Sequence, residues 1–215
     1  MKSALIIGLG HFGINIAMEL VKLNREVMAV DNDEKRVQDA LSFIDDAQIG
    51  DSTNREFLES LGVDNFDVVI VTIGNDFQSS LETTWLLKEL GAKKVIARAS
   101  RHLQEKFLLK NGADEVVYPQ KQLARWTAMR CTSEHILDFM EIDEDNAVVE
   151  IDTPKEWSTK SILKLDIRKH YGVTVLGVKE KERYNFQIGP DFIMEEDKKL
   201  LIFGSQKSIQ KLVER

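Results

Sequence analysis

The residues best suited to chemistry stand near the start of the chain, in the motif Gly8-Leu9-Gly10-His11-Phe12-Gly13. A short apolar run precedes the motif and an apolar segment with helical periodicity follows it, which predicts a strand, a glycine turn and a helix. In that setting Gly8 allows a tight turn, Gly10 lets a pyrophosphate approach the backbone, and Gly13 lets the helix pack on the strand. The helix N-terminus also offers free N–H groups to phosphate. The motif therefore predicts a nucleotide- or dinucleotide-binding turn.

An acidic residue, Asp31, ends the second predicted strand, about 20 residues beyond the motif. A carboxylate in this position can accept both hydroxyls of an adenosine ribose. A simple turn residue at a strand end is the alternative interpretation, but the position relative to the glycine turn favours ribose binding.

Further candidates follow the later strands. Asp51 either caps a helix or lies near the adenine, and Asn75 either lines the crevice or caps a helix. Arg98 either meets phosphate or pairs with a carboxylate across a subunit boundary. The predicted nucleotide site comprises Gly8, Leu9, Gly10, His11, Phe12, Gly13, Asp31, Asn32, Asp51, Ser52, Gly74, Asn75 and Arg98.

Six apolar strand patterns alternate with helical patterns as far as Pro119. They predict an α/β fold, a Rossmann-like doubly wound parallel sheet whose ligand crevice lies at the carboxyl ends of the strands. A long amphipathic helix is predicted from about Lys121 to Met140, followed by an acidic linker. The remainder has short strands and short helices, which predicts a smaller α+β domain. The predicted domains are residues 1–140 and 141–215.

Composition narrows the function further. The net charge of −7 argues against a nucleic-acid partner, because no basic face is implied. A single cysteine, Cys131, precludes an intrachain disulfide and fits a reducing compartment. No apolar run approaches the roughly 20 residues of a membrane span, and the histidines have no spacing typical of a metal site. We expect a cytoplasmic protein that holds no metal in a site of its own.

These motifs together resemble the cytosolic regulator-of-potassium-conductance (RCK) family, in particular the Ktr/Trk gating subunits of bacterial potassium transporters. The resemblance covers nearly the whole chain. In the first half it rests on Gly8-Leu9-Gly10, Phe12-Gly13, Val30-Asp31, Leu86-Leu87-Lys88-Glu89-Leu90, Gly112-Ala113-Asp114 and Tyr118-Pro119. In the second half it rests on Lys160-Ser161-Ile162, Leu165-Asp166-Ile167-Arg168, Tyr171-Gly172 and Gly189-Pro190.

The resemblance implies a regulatory subunit that is not an enzyme. It would sense ATP or ADP, with NAD or NADH as the alternative. It would form homodimers that assemble into a homo-octameric ring on a potassium-translocating membrane subunit, at the inner face of the cell membrane. Two positions differ from the family pattern: His11 replaces an arginine that reaches the terminal phosphate of ATP, and Gln120 replaces a glutamate associated with a cation at the dimer interface.

A second ligand site is also implied by the resemblance. Ile162, Ile167 and Pro190, with the adjacent Arg168, would form a dimer-interface pocket for cyclic di-AMP. Without the resemblance, the sequence would predict that the three apolar residues belong to the hydrophobic core.

An NAD-dependent dehydrogenase of the precorrin-2 type is the alternative function. Hydride transfer needs a positioned acid or base and enough structure to enclose a substrate. The loops after the predicted strands are short, and no Ser-Tyr-Lys or Lys/His/carboxylate set is recognisable. The sequence therefore favours regulation over catalysis.

Overall fold

The computed structural model describes residues 2–131, 136–143, 145–181 and 183–214. The chain divides into two compact units, Met1–Lys121 and Gln122–Arg215. The strands of the first unit are β1 (Ser3–Ile7), β2 (Glu26–Asp31), β3 (Asp46–Ile49), β4 (Val68–Val71), β5 (Val95–Arg98) and β6 (Glu115–Val117). Its helices are α1 (His11–Lys22), α2 (Glu34–Ala40), α3 (Arg55–Ser60), α4 (Phe77–Glu89) and α5 (His102–Lys110), and α6 (Pro119–Cys131) crosses the division.

The first unit is a parallel six-stranded sheet in the order β3-β2-β1-β4-β5-β6. Strand β1 lies between β2 and β4, so that Ile7 is opposite both Val30 and Val71. The strand order reverses there, and a ligand crevice in such a sheet lies outside the carboxyl ends of the strands at this point. The predicted doubly wound α/β fold is confirmed.

Both faces of this sheet are covered, which explains why its inner strands β1 and β4 are apolar without alternation. Leu5 and Ile7 of β1 enter one core cluster together with Leu87 of α4 and Leu108 of α5. Ala4 and Ile6 enter the other cluster, with Ala17 of α1 and Val37 of α2. Helices therefore hold the sheet from both sides and fix the edge where the strands end.

The second unit is an antiparallel five-stranded sheet in the order β10-β9-β11-β8-β7. One apolar face packs on the fully buried Trp157 and on short helices. The strands are β7 (Ile136–Glu141), β8 (Asn146–Asp152), β9 (Val173–Glu180), β10 (Arg183–Asn185) and β11 (Lys199–Ser205), and the helices are α7 (Ile162–Leu165), α8 (Ile167–Tyr171) and α9 (Gln206–Val213). The predicted smaller α+β domain is confirmed. Among the described residues, no helix has the length and apolar character to cross a membrane.

The predicted helix from Lys121 to Met140 is wrong in its last part. Helix α6 ends at Cys131, and Ile136–Glu141 is strand β7, paired with β8. Strand β7 belongs to the second sheet. The chain divides earlier still, between Lys121 and Gln122, whereas the sequence placed the boundary at 140. A register shift between Ile136 and Asp138 places Ile136 and Phe139 on the same buried face. Their spacing of three imitates that of a helix.

A buried carboxylate, Glu150 of β8, lies on the other face of the second sheet. Lys179 Nζ lies 2.9 Å from its Oε2, the Tyr184 hydroxyl donates to the same oxygen, and Lys199 Nζ lies 3.9 Å from Oε1. Burial alone would raise the pKa of Glu150, but the hydrogen bonds from Tyr184 and Lys179 outweigh burial and lower the pKa below its usual value. Burial and the Glu150 carboxylate raise the pKa of Tyr184.

Glu150→Gln should therefore destabilise the protein in a pH-dependent way. A carboxyl whose pKa is lowered in the folded state stabilises the protein above its unfolded pKa, and this contribution is lost as pH falls through the folded pKa. We expect a loss of about 1–3 kcal/mol in the free energy of unfolding near neutral pH, shrinking below about pH 4. Denaturant titration at several pH values measures it. Glu195→Gln removes an exposed pair with Lys198 and serves as control; equal, pH-independent effects of both variants would contradict the prediction.

Candidate functional site

The turn after β1 is shaped by Gly8, whose φ of +99° lies in the region that favours glycine. The Thr72 hydroxyl, just after β4, lies 2.5 Å from the Gly8 carbonyl oxygen, and the Thr72 N–H donates to the Ile7 carbonyl. This contact joins the glycine turn to the neighbouring strand at the point where the strand order reverses. The turn therefore lies at the crevice edge of the sheet.

The other two glycines of the motif differ in the space around them, which is crowded at Gly13 and open at Gly10. A Cβ at Gly13 would lie 1.9 Å from the Gly8 carbonyl oxygen and 2.5 Å from the Thr72 hydroxyl, so only glycine lets α1 pack this closely. A Cβ at Gly10 would meet nothing within 4 Å. The helix therefore packs closely on the turn at Gly13, as the sequence predicts. The space beside Gly10 is open.

Helix α1 begins at His11 with Gly10 as its N-cap, which provides no side-chain cap. The Ile14 N–H bonds to the Gly10 carbonyl, and the N–H groups before it belong to the first turn, which lacks intrahelical acceptors. His11 is exposed and Phe12 is half-buried. The first turn of α1 thus offers N–H groups and the positive end of the helix dipole to an anion.

Asp31, the last residue of β2, is buried and anchors the turn. Its Oδ2 accepts a hydrogen bond of 2.6 Å from the Leu9 N–H, and its Oδ1 accepts one of 2.9 Å from the Asp33 N–H. Arg36 Nη1 lies 3.4 Å from Oδ2. A carboxylate has about four acceptor sites, so one site is left for a ligand hydroxyl, whereas the sequence predicts that Asp31 accepts two.

Apart from Arg98, the remaining predicted residues lie on the loops after β2, β3 and β4. Asn32, Asp51 and Asn75 are exposed. Asp51 holds its own loop, accepting from the Thr53 N–H at 2.9 Å. Ser52 is buried, and its hydroxyl lies 2.9 Å from that of Thr83 on α4, so it ties the loop to a helix.

Arg98, the last residue of β5, reaches the glycine turn. Its guanidinium carbon lies 5.6 Å from the centroid of the Phe12 ring, and a Cβ on Gly74 would lie 2.5 Å from its Nη1. Its Nε is buried and has no hydrogen-bond partner among the described residues. The structure therefore brings Gly74, Phe12 and Arg98 together.

Two residues at this edge were missed by the sequence analysis. Thr72, directly after β4, is absent from the predicted site, although its hydroxyl contacts the Gly8 carbonyl oxygen. Arg36, on the first turns of α2, contacts both Asp31 and Asp33, at 3.4 and 3.6 Å. Its position shortly after a strand-end acid was the available signal.

A groove of about 260 Å³ in the second unit brings together Ile162, Ile167, Arg168 and Pro190. The Leu163 N–H donates to the Pro190 carbonyl at 2.8 Å, which holds the segment of Pro190 against α7. Thr174 also lines the groove. All four residues of the predicted second ligand site therefore share one cavity. No group of three potential metal ligands occurs in the described part of the chain.

Comparison with known proteins identifies the family. The TrkA-N domain model matches residues 4–119, and the TrkA-C domain model matches residues 147–215. Ktr system potassium uptake protein C of Bacillus subtilis (strain 168) is 38% identical over 215 residues, which are 100% of this chain and 97% of that protein. The chain belongs to the Ktr/Trk potassium-uptake family.

Another Ktr/Trk relative, Ktr system potassium uptake protein A of the same organism, is 35% identical over 210 residues, covering 98% of this chain and 95% of that protein. Among solved structures, the GsuK RCK domain has a TM-score of 0.69 at 18% identity. The match covers 99% of this chain and 47% of the GsuK chain, so this chain spans about half of it. This likeness shows that the two chains share a fold.

Proposed function

We propose that this chain is the nucleotide-sensing gating subunit of a potassium-uptake system, at the inner face of the membrane. The observation that carries the proposal is the crevice at the end of β1, where an open space beside Gly10 meets the uncapped first turn of α1. Asp31 at the end of β2 is suited to a ribose. The relatives that match nearly the full length are named as potassium uptake proteins.

The proposed mechanism is conformational. ATP and ADP would stabilise different arrangements of the subunits, and a potassium-translocating membrane partner would respond to the difference. A ligand shifts such an equilibrium only by its difference in affinity for the two states. A hundredfold preference corresponds to about 2.7 kcal/mol. NAD and NADH are the alternative ligands of the same crevice.

Potassium flux through the reconstituted complex tests this function. We expect flux to differ between ATP and ADP, measured in vesicles that contain the membrane subunit and this chain. NADH and cyclic di-AMP are added in parallel, with nucleotide-free vesicles as reference. Identical flux under all four ligands would rule out gating by this chain.

We also propose that the chain forms homodimers and assembles into a homo-octameric ring. The support is an apolar surface on α4 and α5, which we call the α4/α5 patch: Phe77, Leu103 and Phe107. The rings of Phe77 and Phe107 lie 6.4 Å apart, and Leu103 is 62% exposed. Leu103 and Phe107 are exposed one helical turn apart on α5, beside the half-buried Phe77. Grouped exposed apolar side chains mark protein–protein contacts.

Leu103→Asp is expected to reduce the size of the assembly, because it buries a charge in the proposed contact. Light scattering coupled to gel filtration measures the mass of the wild type and the variant. Leu23→Asp is the matched control, since Leu23 is 63% exposed at the end of α1, outside the patch. A wild-type monomer, or an unchanged mass for Leu103→Asp, would refute the assembly through this patch.

For the groove in the second unit we propose cyclic di-AMP as the ligand. Ile162, Ile167 and Pro190 offer apolar contact to the bases, and the Arg168 guanidinium suits a phosphate. Thr174 is the hydroxyl available in the same groove. The four residues that the family resemblance implies for this ligand all line the groove, which supports the proposal.

We propose no catalytic role. The described residues at the crevice provide one strand-end acid, Asp31, and it is engaged by backbone N–H groups. Nothing observed at the crevice favours the precorrin-2-type dehydrogenase over a regulatory subunit.

A further inference from the structure

Arg98, at the mouth of the proposed nucleotide crevice, is a cation without a counter-charge among the described residues. No carboxylate of the described residues lies within the 4.0 Å of an ion pair from its guanidinium, and its buried Nε has no hydrogen-bond partner there. Withdrawing a charged, hydrogen-bonding group from water without a partner is unfavourable. An anionic ligand would remove this cost.

Arg36, at the same edge of the sheet, differs from Arg98 because it has carboxylate partners. The Arg36 guanidinium lies 3.4 Å from Asp31 and 3.6 Å from Asp33, so its charge is largely balanced. It also stands on the side of the crevice where Asp31 would hold a ribose. Arg98 instead stands beside Phe12, in the first turn of α1, whose N–H groups favour an anion.

Two residues fix where the guanidinium lies. The face of the Phe12 ring supports it at 5.6 Å, a distance that suits a cation–π contact. Gly74 leaves the space that Nη1 occupies, since a Cβ there would lie 2.5 Å from that atom. Phe12 follows the open position of Gly10 by two residues, so the supported guanidinium is held at the phosphate end of the crevice.

We infer that Arg98 recognises the phosphates of the bound nucleotide, and that Gly74 and Phe12 are its positioning residues. The inference rests on the proposed nucleotide function and deepens it. Arg98 makes the crevice prefer nucleotides over the uncharged nucleoside, because its planar fork of donors matches phosphate oxygens. Gly74 would act on the phosphates through the space that it leaves for Arg98 Nη1.

Calorimetry of the full chain with ADP and with adenosine separates this role from simple packing. Arg98→Gln should weaken ADP at least tenfold, which is about 1.4 kcal/mol, and should change adenosine by less than about twofold, because adenosine has no phosphate. Arg98→Lys should recover part of the loss, since it keeps the charge and loses the fork. Gly74→Ala should reproduce the selective loss of ADP affinity with Arg98 intact.

Arg25→Gln is the matched control, because Arg25 is exposed and precedes β2, at the opposite edge of the sheet. Equal losses of ADP and adenosine in Arg98→Gln would assign Arg98 to packing and overturn the inference. Unchanged ADP affinity in Arg98→Gln would also overturn it and leave the proposed function standing. A wild-type chain that binds none of ATP, ADP and NADH would overturn both. If Arg98→Gln does not fold, the ratio of ADP to adenosine affinity in Arg98→Lys and Gly74→Ala decides.

Discussion

Gly13→Ala is expected to lower the free energy of unfolding by about 3 kcal/mol. The new methyl group would lie 1.9 Å from the Gly8 carbonyl oxygen and 2.5 Å from the Thr72 hydroxyl. The first of these is backbone in a turn that is tied to both neighbouring strands, so it cannot yield as the end of a flexible side chain would. Helix α1 must therefore move away from β1, which also disturbs the first turn that faces the crevice. Urea titration followed by circular dichroism measures the loss.

Gly10→Ala is the control within the same motif and has the opposite expected profile. A Cβ at Gly10 meets nothing within 4 Å and its φ is −65°, so stability should change by less than about 1 kcal/mol. The affinity for ADP should nevertheless fall at least about tenfold, because the methyl group occupies the space through which a pyrophosphate approaches. A stable Gly13→Ala variant, or a Gly10→Ala variant that binds ADP like wild type, would contradict this division of roles.

The first unit could be predicted from the sequence because its local and global signals agree. The inner strands β1 and β4 are continuous apolar runs, since residues such as Leu5 and Ile6 enter different cores on the two faces. The glycine spacing then fixes where β1 must turn. The apolar strand pattern and the glycine spacing therefore predict the same fold.

The second unit shows where such prediction fails. In β7 the bulge puts Ile136 and Phe139 on one face with two residues between them, and the period of two is lost. Whether residues three apart share a face through a helix or through a bulged strand depends on the partner, here β8. The register with the following strand is a property of the β7–β8 pair, and periodicity within one segment does not encode it.

The candidate site was predicted at the level of positions and less well at the level of contacts. Strand ends of a parallel sheet meet at one edge, so Gly74 and Arg98 could be assigned to the crevice without knowing that they touch. Ser52 was assigned by the same rule, yet its hydroxyl contacts Thr83. The rule gives the edge on which a residue lies, whereas the direction of its side chain is decided by packing.

Asp31 has a structural and a proposed binding role. The carboxylate that holds the glycine turn in place is the one that we propose to bind the ribose. It accepts from the Leu9 N–H and from the Asp33 N–H, and thereby fixes the glycine turn relative to the end of β2. A ribose hydroxyl bound to the remaining acceptor site would thus report directly on the turn that binds the phosphates. In the proposed function, binding and the geometry of the crevice would be coupled through this one side chain.

Asp31→Ala should therefore reduce both stability and affinity. Leaving these two N–H groups without an acceptor costs about 2–4 kcal/mol in the free energy of unfolding. Losing hydrogen bonds to a charged acceptor weakens ATP, ADP and NADH by about 1.5–3 kcal/mol each. Asp33→Ala is the matched control, because it removes the cap of α2 at a cost of about 1 kcal/mol and leaves Asp31 in place.

A ligand without ribose hydroxyls separates the two effects of Asp31→Ala. If Asp31 holds the ribose, 2′,3′-dideoxy-ADP should bind wild type more weakly than ADP does, whereas Asp31→Ala should bind both ligands about equally, since the interaction is already gone. Calorimetry well below the unfolding midpoint of the variant keeps the protein folded during the measurement. If ADP retained its full advantage over the dideoxy ligand in Asp31→Ala, the ribose would be held elsewhere. Asp31 would then serve the fold of the turn alone.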